Sequence, residues 1–191
     1  MHESDSKSKT SRKSMTVARL ERRVLSYVAR YLSSSIRLEQ FIRRLLRRWE
    51  DGGGAIEVCD EDIANIIEKC CKRGYIDDQR FAELRIARWY RGGQPQRLMW
   101  QKLRAEQLDE SVISSAFAAF HASHSDTPEL LEYEAAMHYA RKRSIGPYRE
   151  NDRAEWRERD MAKMGRRGFT FNIAQKVIDH KDDEDEVMYH A

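Results

Sequence analysis

The chain contains little that interrupts a helix, with only three prolines in 191 residues, and proline is the residue that breaks helices most severely. Cysteine is equally scarce. Cys59, Cys70 and Cys71 are odd in number and lack C-x-x-C spacing, which excludes a disulfide scaffold and points to a reducing compartment. No apolar run approaches the roughly 18 residues of a membrane helix, and no hydrophobic stretch follows Met1. The expectation is a soluble, cytoplasmic protein without membrane contact. The Ser/Lys-rich start has the look of a transit peptide, but Glu3 and Asp5 argue against one. Glycine-rich phosphate loops, nucleophile elbows and dinucleotide fingerprints are also missing, so no enzyme, cofactor or metal is expected.

What the chain has is charge. Charged residues make up 35% and hydrophobic ones 40%, a balance that suits an elongated helical protein with a large surface. The net charge of only +3 hides segregation, since Lys7 to Arg48 is strongly basic and the stretch from Asp179 to Glu186 is acidic. Such asymmetry points to a polyanion or an acidic protein groove as partner, with the tail as a self-screen.

Hydrophobic periodicity predicts helices almost throughout. Residues 1–15 carry little to bury and read as a disordered basic arm. Leu20, Val24, Tyr27, Val28, Tyr31 and Leu32 form the first amphipathic stripe, ended by Ser33-Ser34-Ser35. Leu38, Phe41, Ile42, Leu45, Leu46 and Trp49 form the second, and residues 52–58 read as a flexible insertion. A third helix, capped by Asp60, runs through Ile63, Ile66 and Cys70 to Gly74. There the chain makes a tight elbow. Gly74 suits a left-handed helix end, Asp77 an N-cap, and Ile76 with Phe81 a hydrophobic staple.

The same rhythm then returns twice. Ala82, Ile86, Trp89 and Tyr90 line one helix, Pro95 opens the next, and Asp109 caps a third with Val112, Ile113, Ala116, Phe117 and Phe120 inside. A polar linker spans His121 to Thr127. Further on, Met164, Phe169, Thr170, Ile173, Ala174 and Val177 match Leu103, Leu108, Asp109, Val112, Ile113 and Ala116 at a constant offset. Repeated cap-and-core spacing predicts an all-α fold of three tandem three-helix repeats, stacked as an elongated curved solenoid. The expected units are residues 16–76, 77–127 with the linker, and 128–180, followed by an acidic tail at 181–191.

Single chemical candidates are weak. His121 and His124 lie in the polar linker with no partner at ligand spacing, Glu134 and His138 read as a helix-surface pair, and Asp77-Asp78 read as caps. Adjacent Cys70 and Cys71 cannot share a helix face, so one is expected in the core and the other outside. The recurrent signal is basic: Arg43, Arg44, Arg47 and Arg48; Arg85, Arg88 and Arg91 on one polar arc; Arg97, Lys102 and Arg104; Arg141, Lys142 and Arg143; Arg166 and Arg167. Each lies beside a buried stripe. One cluster is as well explained by a solvated face, but repetition along a stack would make a long positive surface able to follow a filament or a nucleic-acid backbone.

Gly74-Tyr75-Ile76-Asp77-Asp78-x-Arg80-Phe81-Ala82, followed by Gly93-x-Pro95-x-x-Leu98-x-x-x-x-Leu103 and by Arg166-Arg167-Gly168-Phe169 with Ile173 and Val177, resembles the RecX family of recombination regulators. The likeness extends from about Val17 to Ile178. It implies three tandem three-helix repeats and a non-enzymatic modulator, expected to be monomeric, that binds the RecA recombinase. Such a protein lodges in the groove or at the end of the RecA filament on DNA. It restrains recombinase and coprotease activity in DNA repair, homologous recombination and the SOS response. Three features depart from the pattern. Residues 52–58 lengthen the first unit, Gln107 stands where glycine is common, and the basic arm and acidic tail are additions. The family has no catalytic set to carry over, so the contact residues are inferred from charge. The alternative is a basic helical DNA-binding protein acting without RecA.

Overall fold

A computed structural model describes residues 14–124 and 127–180. Helices dominate them: α1 (Val17–Val28), α2 (Ser35–Asp51), α3 (Asp60–Lys72), α4 (Asp78–Arg91), α5 (Gln96–Ala105), α6 (Glu110–His124), α7 (Pro128–Arg143), α8 (Arg153–Arg167) and α9 (Phe171–Ile178). A single 3-10 turn, Gly146–Tyr148, separates α7 from α8. The fold is all-α, as the periodicity predicts.

Short polar residues start the helices. The hydroxyls of Thr16, Ser34, Thr127 and Thr170 accept the N–H of Arg19, Arg37, Leu130 and Ile173 at 3.4, 3.3, 3.3 and 3.4 Å, each satisfying a donor the helix itself leaves orphaned. The start of α3 departs from expectation. Cys59, not Asp60, stands at its N-cap, and Asp62 Oδ2 accepts the Cys59 N–H at 3.0 Å. Asp60, free of that task, accepts from Arg43 Nη1 at 2.9 Å.

Six of the helix ends follow one design. Gly53, Gly74, Gly93, Gln107, Ser144 and Gly168 all have positive φ. The next N–H in each case returns to the helix, as from Tyr75 to Cys70 O, Gln94 to Trp89 O and Leu108 to Leu103 O. This is the Schellman closure, in which a left-handed residue reverses the chain and satisfies late carbonyls. Gln107 adopts it at φ 60 without being glycine.

Two units divide the chain, Met1–Asp78 and Gln79–Ala191. In the first, Leu20 and Val24 of α1, Leu38, Ile42 and Leu46 of α2, and Ile63, Ile66 and Cys70 of α3 form one core. In the second, one continuous core runs from Phe81 and Ile86 through Leu103, Ile113 and Leu131 to Met164 and Val177. Burying one side of each helix in this way supplies most helical stability, since short helices are marginal alone.

Several expectations give way. Tyr31 and Leu32 are 59% and 54% exposed, because α1 stops at Val28 and its stripe does not extend into the following turn. Met15, read as part of the arm, is fully buried. Its N–H donates to Ala55 O at 2.8 Å and its carbonyl accepts the Glu57 N–H at 3.0 Å. Ala55 and Glu57, within the stretch read as a flexible insertion, are thus hydrogen-bonded to Met15. Ile76 is buried in the core of the first unit and Phe81 in the core of the second. The remainder of the basic arm, up to residue 13, and the acidic tail from 181 lie outside the described residues.

Asp77 directly precedes α4, at the expected cap position. Asp78 serves a different helix. Its Oδ1 accepts the Ser35 N–H at 2.7 Å, at the first residue of α2.

Candidate functional site

The basic residues singled out by the sequence fall into two groups, those that cover the core and those that do not. All four tryptophans carry cations over their rings: Arg19 and Arg23 on Trp49, Arg85 and Lys102 on Trp89, Arg104 on Trp100, and Arg149, Arg159 and Lys163 on Trp156. Guanidinium and ammonium groups favour the negative face of an indole, and their alkyl stems shield apolar surface. The recurrence of arginine beside buried stripes thus has a structural component.

In the first unit Arg43 is spent on Glu39 at 2.8 Å and Asp60 at 2.9 Å. The Glu39 contact, then Asp60, stabilises its charged form. Arg44 Nε donates to the Gln40 carbonyl of its own helix at 3.2 Å. Arg47 and Arg48 are exposed and have no ion-pair partner among the described residues.

In the second unit Arg85, Arg88 and Arg91 do not share one arc. Residues three apart on an α-helix differ by about 60° around its axis, so Arg91 is about 120° from Arg85. Arg88 and Arg91 are exposed, whereas Arg85 lies over Trp89 and pairs with Glu106, the two side chains 22% and 16% exposed. Lys102 bonds Gln94 Oε1. Burial holds its ammonium below the ordinary value, with repulsion from Arg167 and Arg85 acting in the same direction and Glu106 opposing. Arg167 lies over Tyr139 and donates to Gly93 O at 3.4 Å. Arg104 pairs with Glu110 at 2.6 Å, and Arg141 donates to the Tyr148 hydroxyl at 3.2 Å. Arg97, Lys142, Arg143 and Arg166 are exposed, without an ion-pair partner among the described residues.

The residues of the elbow and of the later motifs are largely architectural. Gly74 and Gly168 close helices with positive φ, Ala82 and Phe169 are buried, and Pro95 is buried at the N-cap of α5. Tyr75 is half exposed, and Arg80 approaches Glu83 at 3.6 Å.

The histidines are not in a linker. α6 runs on to His124, whose Nδ1 is 2.8 Å from Phe120 O, and His121 Nε2 is 3.3 Å from Gln96 Oε1. Glu134 takes the Tyr90 hydroxyl. Cys70 is buried and Cys71 exposed, and burial pushes both thiols up. No group of three or more His, Cys, Asp or Glu converges as a metal set among the described residues, and no described helix is long and apolar enough to cross a membrane.

One buried charge gives no signal in the sequence. Asp160 is 1% exposed and accepts from Arg149 Nε and Nη2 at 3.0 and 2.9 Å, from Gly146 N–H at 3.2 Å and from Lys163 at 3.2 Å. Burial alone would raise its pKa. The Arg149 fork, the Gly146 N–H and Lys163 together hold it below the usual carboxylate range. Arg149 lies eleven residues from Asp160, outside helical pairing distance, so no local spacing reveals the contact.

No protein-family model matches the chain. It is 32% identical over 163 residues to the regulatory protein RecX of Myxococcus xanthus (strain DK1622), covering 84% of each chain. It is 31% identical over 104 residues to the regulatory protein RecX of Agrobacterium fabrum, covering 54% of this chain and 51% of that one. A crystal structure of regulatory protein RecX matches with a TM-score of 0.61 and 18% identity, over 86% of this chain and 72% of the other. At that identity the structural likeness speaks for the fold.

Proposed function

The chain belongs to the RecX family, and on that premise we propose that it is a non-enzymatic negative regulator of the RecA recombinase. It binds the RecA filament on DNA, in its groove or at its end, and restrains recombinase and coprotease activity. The observation that carries this reading is the kinship along 84% of the length of a regulatory protein. The surface is compatible with it. Arg47 and Arg48 on α2, Arg88 and Arg91 on α4, and Lys142 and Arg143 on α7 are exposed and have no ion-pair partner among the described residues. Exposed cations of this kind suit acidic protein surfaces and phosphates, and their pull weakens with salt.

The double charge reversal Arg88→Glu/Arg91→Glu tests the contact face. Expected is loss of inhibition of RecA-driven strand exchange at unchanged helix content; full inhibition by the variant would remove this face from the reading. Arg85 is left out because its pairing with Glu106 makes reversal a change to the core. RecA ATPase and filament length, measured with and without the protein, separate this reading from DNA binding independent of RecA. In the latter case bare DNA binds with a steep salt slope and neither RecA readout moves.

A further inference from the structure

In the second unit the turn that follows α9 is held from two other helices. Arg153 of α8 donates to the Ile178 carbonyl at 2.8 Å and also to the His180 carbonyl, and Arg157 grips both carboxylate oxygens of Asp179 at 2.7 Å. From α7, the Tyr133 hydroxyl lies 3.1 Å from His180 Nδ1. His180 is therefore a fixed point. Directly after it the sequence reads Lys181-Asp182-Asp183-Glu184-Asp185-Glu186, with five carboxylates in a row. Helix α7, which packs against α9, is oppositely charged at its two ends. At its start Glu129 and Glu132 line a cleft with Ile173 and Lys176 of α9. Arg141, Lys142 and Arg143 close it, and Lys142 and Arg143 are exposed. The turn after α7 touches the end of α9, since a Cβ added to Gly146 would lie 3.2 Å from Ile178 Cα. The basic end of α7 and the start of the acidic segment thus share one corner of this unit.

We propose that residues 182–186 fold back onto Lys142 and Arg143 at the end of α7, so that the chain screens cations of its own. A residue spans at most about 3.6 Å, so residues 182–186 reach roughly 7–22 Å from His180. By the same measure Lys142 and Arg143 lie within about 15 Å of Gly146 along the backbone. The two reaches overlap. Charge sets the direction, because Glu129 and Glu132 at the start of α7 repel an acidic segment and the cations at its end attract one. An exposed ion pair contributes little by itself. Tethering compensates for that weakness, since a segment joined to its target by a few residues has an effective concentration on the order of mM. A free acidic ligand must compete with it. The sequence offers the acidic segment several basic clusters, and the anchoring of His180 beside α7 selects one.

The inference rests on the regulatory reading for its biological role, in which Lys142 and Arg143 are among the cations offered to a partner. The contact itself is measured without recombinase. Treatment of the unaltered full chain with a carbodiimide, followed by peptide mapping, should reveal an amide bond between Lys142 Nζ and a carboxylate of residues 182–186. Its yield should not change on dilution and should vanish at about 1 M salt, where the screening length falls to about 3 Å. The second measurement is the acylation rate of Lys142. In Asp182→Asn/Asp183→Asn/Glu184→Gln/Asp185→Asn/Glu186→Gln that rate should rise about threefold, the size expected when one exposed ion pair is lost. Absence of the Lys142 link, or equal acylation rates in the two chains, overturns the proposal. So does a link that disappears on dilution, which would give the acidic segment to a second copy. In strand exchange the neutralised chain should inhibit RecA at about one third of the parent's concentration. A Lys142 link with equal inhibition by both chains would overturn the screening role. A link with no effect of either chain on RecA would keep the contact and overturn the regulatory reading.

Discussion

Asp78 holds the first residue of α2 from both sides: its Oδ1 accepts the Ser35 N–H at 2.7 Å and its Oδ2 accepts the Ser35 hydroxyl at 2.5 Å, across 43 positions of sequence. The device recurs. Glu132 Oε2 accepts the N–H of Gln96, the first residue of α5, at 3.0 Å. Asp160 Oδ2 accepts that of Gly146, the first residue of the 3-10 turn, at 3.2 Å. Donors at a helix start have no partner within the helix. A remote carboxylate satisfies them and adds a favourable charge at the positive end of the dipole.

Replacing Asp78 should therefore loosen α2 although the residue lies outside it. Hydrogen bonds to a charged group contribute about 1.5–3 kcal/mol, so Asp78→Ala should lower stability by about 2 kcal/mol. Ser35→Ala, which keeps the N–H contact, should cost about half as much. Urea unfolding at neutral pH measures both, and equal midpoints for Asp78→Ala and the parent would contradict the cap.

Gly74 and Gly93 have the same left-handed backbone but different surroundings. An added Cβ meets nothing within 4 Å at Gly74, whereas at Gly93 it falls 2.5 Å from the Tyr139 amide nitrogen. Gly74→Ala should cost only the conformational strain, about 1 kcal/mol. Gly93→Ala should cost about 1–3 kcal/mol more from overpacking. Thermal unfolding of the two variants side by side tests the difference, and a Gly74 variant as unstable as the Gly93 variant would refute it.

Gln107 has the same conformation without being glycine, so Gln107→Gly should stabilise the chain. Relief of strain of about 1 kcal/mol is partly offset by glycine's greater freedom when unfolded, leaving a gain of about 0.5 kcal/mol. A lowered melting temperature would show that the Gln107 side chain contributes contacts that outweigh its strain.

Asp160 makes stability depend on pH with a defined sign. Its pKa is lower folded than unfolded, so its contribution is complete above the unfolded value of about 3.9 and is lost as pH falls through the folded one. Asp160→Asn should cost about 3 kcal/mol at pH 7 by leaving Arg149 without its buried partner. The gap between variant and parent should narrow as the medium becomes acid enough to protonate Asp160. Urea midpoints across an acid series measure this, and a constant gap would show that the ion pair does not carry the loss.

Much of the chain is legible in its local chemistry. Apolar spacing marks the helices, and Gly74, Gly93 and Gly168 mark their ends, because 3.6-residue periodicity and left-handed turns are properties of short segments. Long-range partners are not. Nothing near Asp78 names Ser35, nothing near Asp160 names Arg149, and charge alone cannot separate Arg85, bound to Glu106 over Trp89, from exposed Arg88 three residues on. Tyr31 and Leu32 fit their stripe by spacing and yet lie outside, since where a helix stops depends on what it packs against. The sequence by itself determined which segments are helical and, at Gly74, Gly93 and Gly168, where the chain turns. Tertiary structure alone decided which cations cover tryptophans, which stay exposed, and that Arg85, Lys102 and Arg167 meet, because these depend on the packing of segments far apart along the chain.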